Sequence, residues 1–407
     1  MQGRLSAVIM LIATLAGCGG GGGDTLSPAT VPNVQPVSVG AGPGNAVNLL
    51  FTSVTVCVPG NSAACATIDH IQVDTGSSGL RIIASQLPAS LALPQQTDGS
   101  GAYAIAECAQ FADGYAWGPV KIADVKIAGE QAAALPIQVI GDPAFATTPD
   151  NCSSYGPAEN SVATFGANGV LGVGEFRQDC GDLCATYAAN GFYYQCPLSG
   201  GCLTTSLSEV QDLAQQVMNP VALFANDNNG VIIALPPLSA EGAVAANGTL
   251  IFGIDTETNN GLGNAQVFTT SADQGTFITT YNNQSFHYSL FDSGSSALFF
   301  SDGGIPVCGQ GDPYAPGFYC PAMTQNLSAD IRGTNGASAT LGFSVANAHE
   351  VTGNHPDHWA FSNLGAPAGA GGSDVFIWGL PAFFGHSVYT AIEGQSTSAG
   401  PGPFFAF

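Results

Sequence analysis

The sequence predicts a mostly β protein folded as two similar lobes, and three observations carry that expectation. Charged residues are only 9% of the 407, whereas Gly numbers 54 and Pro 25, a mixture that favours short strands and many turns over long helices. A nine-residue pattern occurs twice, 218 positions apart: Asp74-Thr75-Gly76-Ser77-Ser78-Gly79-Leu80-Arg81-Ile82 and Asp292-Ser293-Gly294-Ser295-Ser296-Ala297-Leu298-Phe299-Phe300. Each copy follows an alternating apolar run, Ile71 and Val73 before the first, Phe286, Tyr288 and Leu290 before the second. Each Asp is therefore expected at the end of a strand, in a tight Gly turn. With 45% apolar residues the chain can bury a large core in two domain-sized units.

The charge balance is lopsided: 6 Lys plus Arg stand against 29 Asp plus Glu, for a net charge of -23. No basic patch can be assembled from so few cations, which excludes a nucleic-acid backbone as partner. Most carboxylates must also lack ion-pair partners, so protonating them in acid sacrifices few native interactions.

From the N-terminus, residues 1–17 read as an export signal: Arg4 precedes an apolar run from Leu5 to Ala16 that is too short to span a bilayer. Leu15-Ala16-Gly17-Cys18 resembles a bacterial lipobox, which implies cleavage before Cys18 and lipidation of that residue. Gly19 after the cysteine implies, by the same resemblance, an outer-membrane anchor at the cell envelope, facing the periplasm or the cell surface. Residues 18–33 read as a Gly- and Pro-rich tether. An N-terminal lobe is expected over 34–205 and a C-terminal lobe over 206–407.

Eleven cysteines, less Cys18, leave ten for five disulfides in an oxidising compartment. Cys57 and Cys65 bracket the turn Pro59-Gly60-Asn61, and Cys308 with Cys320 is a second local pair. Cys180, Cys184, Cys196 and Cys202 share one insertion, their pairing open, and Cys108 and Cys152 are left for each other. Zinc fits the spacing of the four-cysteine insertion poorly. Ser206 and Glu209 form a capping box ahead of Val210, Leu213, Ala214 and Val217, predicting one helix that Pro220 ends.

One D-[ST]-G alone reads as a surface turn. Two copies behind apolar strands, with matching Ser-Ser and Leu, instead supply two carboxylates that two similar lobes can bring face to face. A second element also repeats: Gly169-Val170-Leu171-Gly172-Val173-Gly174 and Phe376-Ile377-Trp378-Gly379-Leu380. Apolar-apolar-Gly runs of this kind let another strand or loop approach closely.

On these residues the chain resembles a pepsin-type aspartic peptidase (retropepsin/pepsin superfamily) from about Val34 to Phe407. The D-T-G-S-S-G-L-R string is similar to that of a bacterial lipoprotein family of unknown function. The likeness extends to Gly248–Asp255, as the opening strand of the second lobe's sheet, and to a closing strand near Phe404–Phe407. It implies a bilobal acid-protease fold of two β-barrel-like lobes with a cleft between them, a peptide or protein substrate, no cofactor and no metal, and a monomer.

Two carboxyls a few ångströms apart hold one proton between them over a broad acid range. Asp74 and Asp292 are the expected pair: one acts as general base on a bound water, and its protonated partner polarises the scissile carbonyl. The resemblance implies that the hydroxyls of Thr75 and Ser293 cross-link the two turns, that Gly76 and Gly294 complete them, and that Ser77 bonds the outer carboxylate oxygen, with Ser295 a nearby hydroxyl. No G-x-S-x-G elbow supports a serine nucleophile.

The family closes a hairpin over its substrate, and Phe111 to Val120 aligns with that hairpin without gaps. Phe111, Asp113, Gly114, Tyr115, Trp117 and Arg81 are the expected flap and substrate-binding residues. Two departures concern this set: Phe111 stands where the family has the flap tyrosine, and Arg81 where it has the tryptophan that bonds it. Tyr115 or Trp117 replacing the contact, Arg81 stacking on an aromatic, binding a substrate carboxylate or lowering the pKa of the pair, and a hairpin no longer serving cleavage are all open. The family's basic pro-segment has no counterpart between Cys18 and Val47.

His349, His355 and His358 with Glu350 and Asp357 invite a metal reading, but Pro356 interrupts any helix and the segment resembles a surface loop. Asp255–Gln266 lacks the Gly and Glu of a calcium loop. Two function classes follow: an aspartic endopeptidase at the cell envelope, carried by Asp74 and Asp292, or a catalytically inactive bilobal binding lipoprotein, favoured by Phe111 and Arg81.

Overall fold

The sequence repeat is a structural repeat. In the computed structural model, which describes residues 31–188, 191–197, 201–205, 213–369 and 372–407, strand Asn61–Asp74 runs parallel to Gly169–Val173, with Asp74 opposite Gly172. Beyond the Asp74 turn, Ser78–Ile83 returns antiparallel along the other side of the same strand, Gly79 facing Gly172. In the second half Gln284–Asp292 lies parallel to Val375–Gly379, with Asp292 opposite Gly379. Leu298–Phe299 comes back against that strand, Phe299 facing Ile377. Each apolar-apolar-Gly strand thus fills the space between the two arms of an Asp turn.

Glycine is required there by contact. A Cβ on Gly172 would lie 2.7 Å from the Ser78 carbonyl carbon, and one on Gly379 would lie 2.0 Å from the Ala297 oxygen. Neither contact is tolerable for a larger residue, so the motif's glycines let the returning arm close onto the strand.

Strands dominate, as expected, and the described α-helices are short, Ala348–Asn354 having seven residues. The two halves are knit by a sheet in which Val34–Val39 pairs with Ala246–Phe252. That sheet continues through Gly230–Ala234, Ser387–Ala391 and the closing strand Phe404–Ala406. The mostly β architecture, with its large sheets and two similar halves, is consistent with the bilobal β fold that the resemblance implied. Its largest apolar core joins Val73, Leu80, Leu171 and Val173 of the first half to Phe286, Phe291, Phe300 and Trp378 of the second. Both aspartates therefore project from a packed base.

Among the described residues five disulfides form: Cys57–Cys65, Cys108–Cys152, Cys180–Cys184, Cys196–Cys202 and Cys308–Cys320. Cys18, the signal and most of the tether lie outside the described residues, as does the start of the predicted helix from Ser206 to Val210. Pro220, expected to end that helix, instead opens the short 3-10 helix Pro220–Leu223, where the Asn219 side chain accepts from Val221 N and proline suits a first helical position. The histidine segment also differs from the expected loop. Asn347 caps the helix Ala348–Asn354 by accepting from Glu350 N, and the helix stops before Pro356.

Candidate active site

The two Asp turns meet in a reciprocal set of hydrogen bonds. Thr75 Oγ1 donates to the Phe291 carbonyl at 2.9 Å and accepts from Ser293 N at 3.0 Å. Ser293 Oγ donates to the Val73 carbonyl at 2.8 Å and accepts from Thr75 N at 3.1 Å. Each carboxylate is then held by its own turn in the same way. Gly76 N donates to Asp74 Oδ1 at 2.7 Å and Gly294 N to Asp292 Oδ1 at 2.8 Å. The outer oxygens accept from Ser77 Oγ at 2.5 Å and from Ser295 Oγ at 2.6 Å.

The glycines also make room for the opposite acid. A Cβ on Gly76 would sit 2.7 Å from Asp292 Cγ, and one on Gly294 would sit 2.6 Å from Asp74 Oδ1. The two carboxyls are in hydrogen-bonding contact, and burial, followed by the charge of Asp74, raises Asp292 well above the ordinary carboxylate range. A single proton shared by the pair satisfies that contact.

The hairpin Tyr103–Gln110 and Tyr115–Ile127 forms as expected, with Gln110 opposite Tyr115 and a tip closed by Phe111 N donating to Gly114 O at 2.9 Å. It is held on several sides. At the tip, Tyr115 N donates to Pro157 O at 3.0 Å and Glu159 N to Tyr115 O at 2.8 Å, while Trp117 N donates to Asn160 Oδ1 at 2.7 Å. Along its outer edge, Tyr193–Pro197 of the cysteine-rich insertion pairs with Tyr103–Glu107. Cys108–Cys152 adds a covalent tie.

The structure places the expected flap residues as follows. Tyr115 and Trp117 are buried with Tyr194 and the Cys108–Cys152 bridge; the Trp117 indole donates to Phe145 O at 2.8 Å and meets Tyr194 edge-on. They build the hairpin's own core. Phe111 packs edge-on against Phe165 at 5.8 Å, beside Ile83 and Ile140. Asp113 meets Glu159, whose carboxyl is pushed up to about 8 by burial and then by the charge of Asp113. Gly114 allows that approach, since a Cβ there would come within 2.8 Å of Glu159 Oε1.

Arg81 is 3% exposed, and its Nη2 donates to Glu107 Oε1 at 2.6 Å and Asp179 Oδ2 at 3.1 Å, its Nη1 to the Ser78 carbonyl at 3.0 Å. Both terminal nitrogens are taken inside the protein, which leaves neither for a substrate carboxylate. Tyr193 completes the cluster, donating to Asp179 Oδ1 at 2.7 Å and accepting from Val217 N at 2.8 Å. Burial and the neighbouring Glu107 raise Asp179 well above its usual range. Sequence reasoning missed Glu107, Asp179, Tyr193 and Glu159. Glu107 had a readable signal, as the single charge in the otherwise apolar stretch Tyr103–Ala109.

A model for the family described as "Protein of unknown function (DUF3443)" matches residues 29–407. The chain belongs to this family. Both Asp turns, the hairpin and the Arg81 cluster of this DUF3443 chain lie within the matched region. No curated protein matches the chain. Among solved structures, the aspartic proteinase from Irpex lacteus is similar to the DUF3443 chain over 92% of this chain and 96% of that one, with 14% identity and a TM-score of 0.49.

Proposed function

We propose that this protein is an aspartic endopeptidase, anchored at the bacterial cell envelope through a lipid on Cys18. The observation that supports the reading is the symmetric contact of Asp74 and Asp292, each clamped by a Gly N–H and a Ser hydroxyl. In the reaction, the ionised member of the pair takes a proton from a water that attacks the peptide carbonyl carbon. The neutral member donates its proton to the carbonyl oxygen, giving a tetrahedral diol. Collapse of the diol breaks the C–N bond as one carboxyl passes its proton to the departing amine while the other takes a proton from a diol hydroxyl, so one shared proton remains on the pair. The raised Asp292 suits the donor's role, because it keeps a proton available above the ordinary carboxylate range.

The test is peptide-library cleavage by the full chain in detergent from pH 3 to 8. Cleavage lost in both Asp74→Asn and Asp292→Asn supports the reading; unchanged cleavage in Asp292→Asn, or none by the wild type at any pH, overturns it. The second reading, a binding lipoprotein without catalysis, is favoured by the hairpin's attachment at its tip, outer edge and disulfide. Saturable peptide binding by a wild type that cleaves nothing would establish it.

A further inference from the structure

We propose that Arg81 is a positioning residue which, with Glu107 and Asp179, locks the hairpin and the cysteine-rich insertion onto the strand leaving the Asp74 turn. The catalytic half of this proposal rests on the peptidase reading above, whereas the mechanical half does not.

The same two segments that the family resemblance joins by a tryptophan–tyrosine bond are joined here by a different chemistry. Arg81 lies in the strand after the Asp74 motif, and Glu107 lies in the hairpin's first strand, four residues before Phe111. Their 2.6 Å contact joins the two segments, so the loss of both aromatic partners has a replacement. Asp179 brings in the insertion, and Tyr193 carries the connection into Tyr193–Pro197, the strand on the hairpin's outer edge. Buried Gln138 adds a neutral tie, donating to the carbonyls of Glu107 and Ala116 on both hairpin strands, while its backbone lies beside Arg81 in the parallel pair.

The cluster also reaches the dyad. Arg81 Nη1 holds the Ser78 carbonyl, and Ser78 follows the serine that donates to Asp74. One guanidinium therefore fixes the position of the Asp74 turn and of the hairpin together. Opening the hairpin would separate buried charges whose partners are within hydrogen-bonding distance, which is costly because the remaining charge is left uncompensated. The hairpin is consequently a fixed wall, and peptide selection falls to its standing contour.

The experiment is amide hydrogen exchange on the full chain, comparing wild type, Arg81→Lys, and the neutral triple variant Arg81→Met/Glu107→Gln/Asp179→Asn. The triple variant removes the guanidinium and both acids together, so no buried charge is orphaned and folding is retained. In both variants the amides of Tyr103–Gln110 and Tyr115–Ile127 should exchange about a hundredfold faster, those of Gln284–Asp292 being unchanged. In the active enzyme kcat should fall about tenfold with KM held. Unchanged hairpin exchange, or an equal rise throughout the protein, overturns the lock. Faster hairpin exchange with kcat untouched overturns the positioning role. If the wild type cleaves nothing, the peptidase reading and the positioning role fall together, and the exchange data alone still decide the mechanical lock.

Discussion

Thr75 and Ser293, 218 residues apart, exchange hydrogen bonds in both directions across the centre of the molecule. Each hydroxyl accepts from the other residue's backbone N–H and donates to the carbonyl just before the other half's aspartate. The link therefore fixes the two carboxylates relative to each other through backbone, with no long flexible side chain in between. Thr75→Val would orphan the Ser293 amide and the Phe291 carbonyl in a buried site, at a cost of about 1–3 kcal/mol for each group. Thr75→Ser keeps the hydroxyl and should cost much less. Urea unfolding of the two variants measures the difference, and a Thr75→Val protein as stable as wild type would refute the assignment.

Asp292 makes stability depend on pH. Its folded-state pKa is raised above the ordinary 3.8 by burial and by Asp74, so above that value the native state binds more protons than the unfolded chain. Its contribution is then favourable at low pH and is lost as pH rises toward the raised value. Asp292→Asn should have a flatter Tm profile between pH 4 and 8 and unfold at a higher temperature than wild type near neutrality. A parallel pair of profiles would contradict the raised value.

Gly76 and Gly294 permit the carboxyls to touch. Alanine at either position places a methyl group under 3 Å from the facing acid and must push the pair apart. A displacement of about 1 Å at reacting groups costs on the order of a hundredfold in rate. Peptide cleavage by Gly76→Ala and Gly294→Ala should fall by about that factor while circular dichroism stays native. Full activity in either variant would show that the close approach is dispensable.

Cys108–Cys152 closes a loop of sequence separation 44 between the hairpin and the helix Asp150–Ser153. Replacing both residues by serine should destabilise the protein by about 2–4 kcal/mol. Limited proteolysis should then cut first within residues 103–127, because the hairpin loses one of its ties. Equal resistance of the variant and the wild type would rule this out.

Much of the candidate site was legible in the sequence because its determinants are local. An alternating strand, an Asp-Thr/Ser-Gly turn and a Ser directly after that Gly dictate one conformation twice, and a glycine-bearing strand about a hundred residues later is required to fit between the arms. The hairpin too was readable, through the ungapped alignment of Phe111 to Val120 with the family's own hairpin. The burial of Tyr115 and Trp117 was not legible, for a physical reason. Strand alternation says that successive side chains point to opposite faces, but here Tyr193–Pro197, residues 157–160 and Cys152 cover the hairpin, so side chains expected at the substrate lie inside.

What the sequence by itself determined is the duplicated aspartate turn, its glycine-strand partner and the mostly β class, all consequences of backbone geometry and short-range pattern. What only the tertiary structure decided is the environment of the charges. Glu107 and Asp179 lie 26 and 98 positions from Arg81 in the chain, and no periodicity relates them. A guanidinium read from sequence is a cation available to solvent or substrate. Enclosed with two carboxyls it is a structural fastener, because in an interior of low dielectric a charge is governed by the groups packed around it.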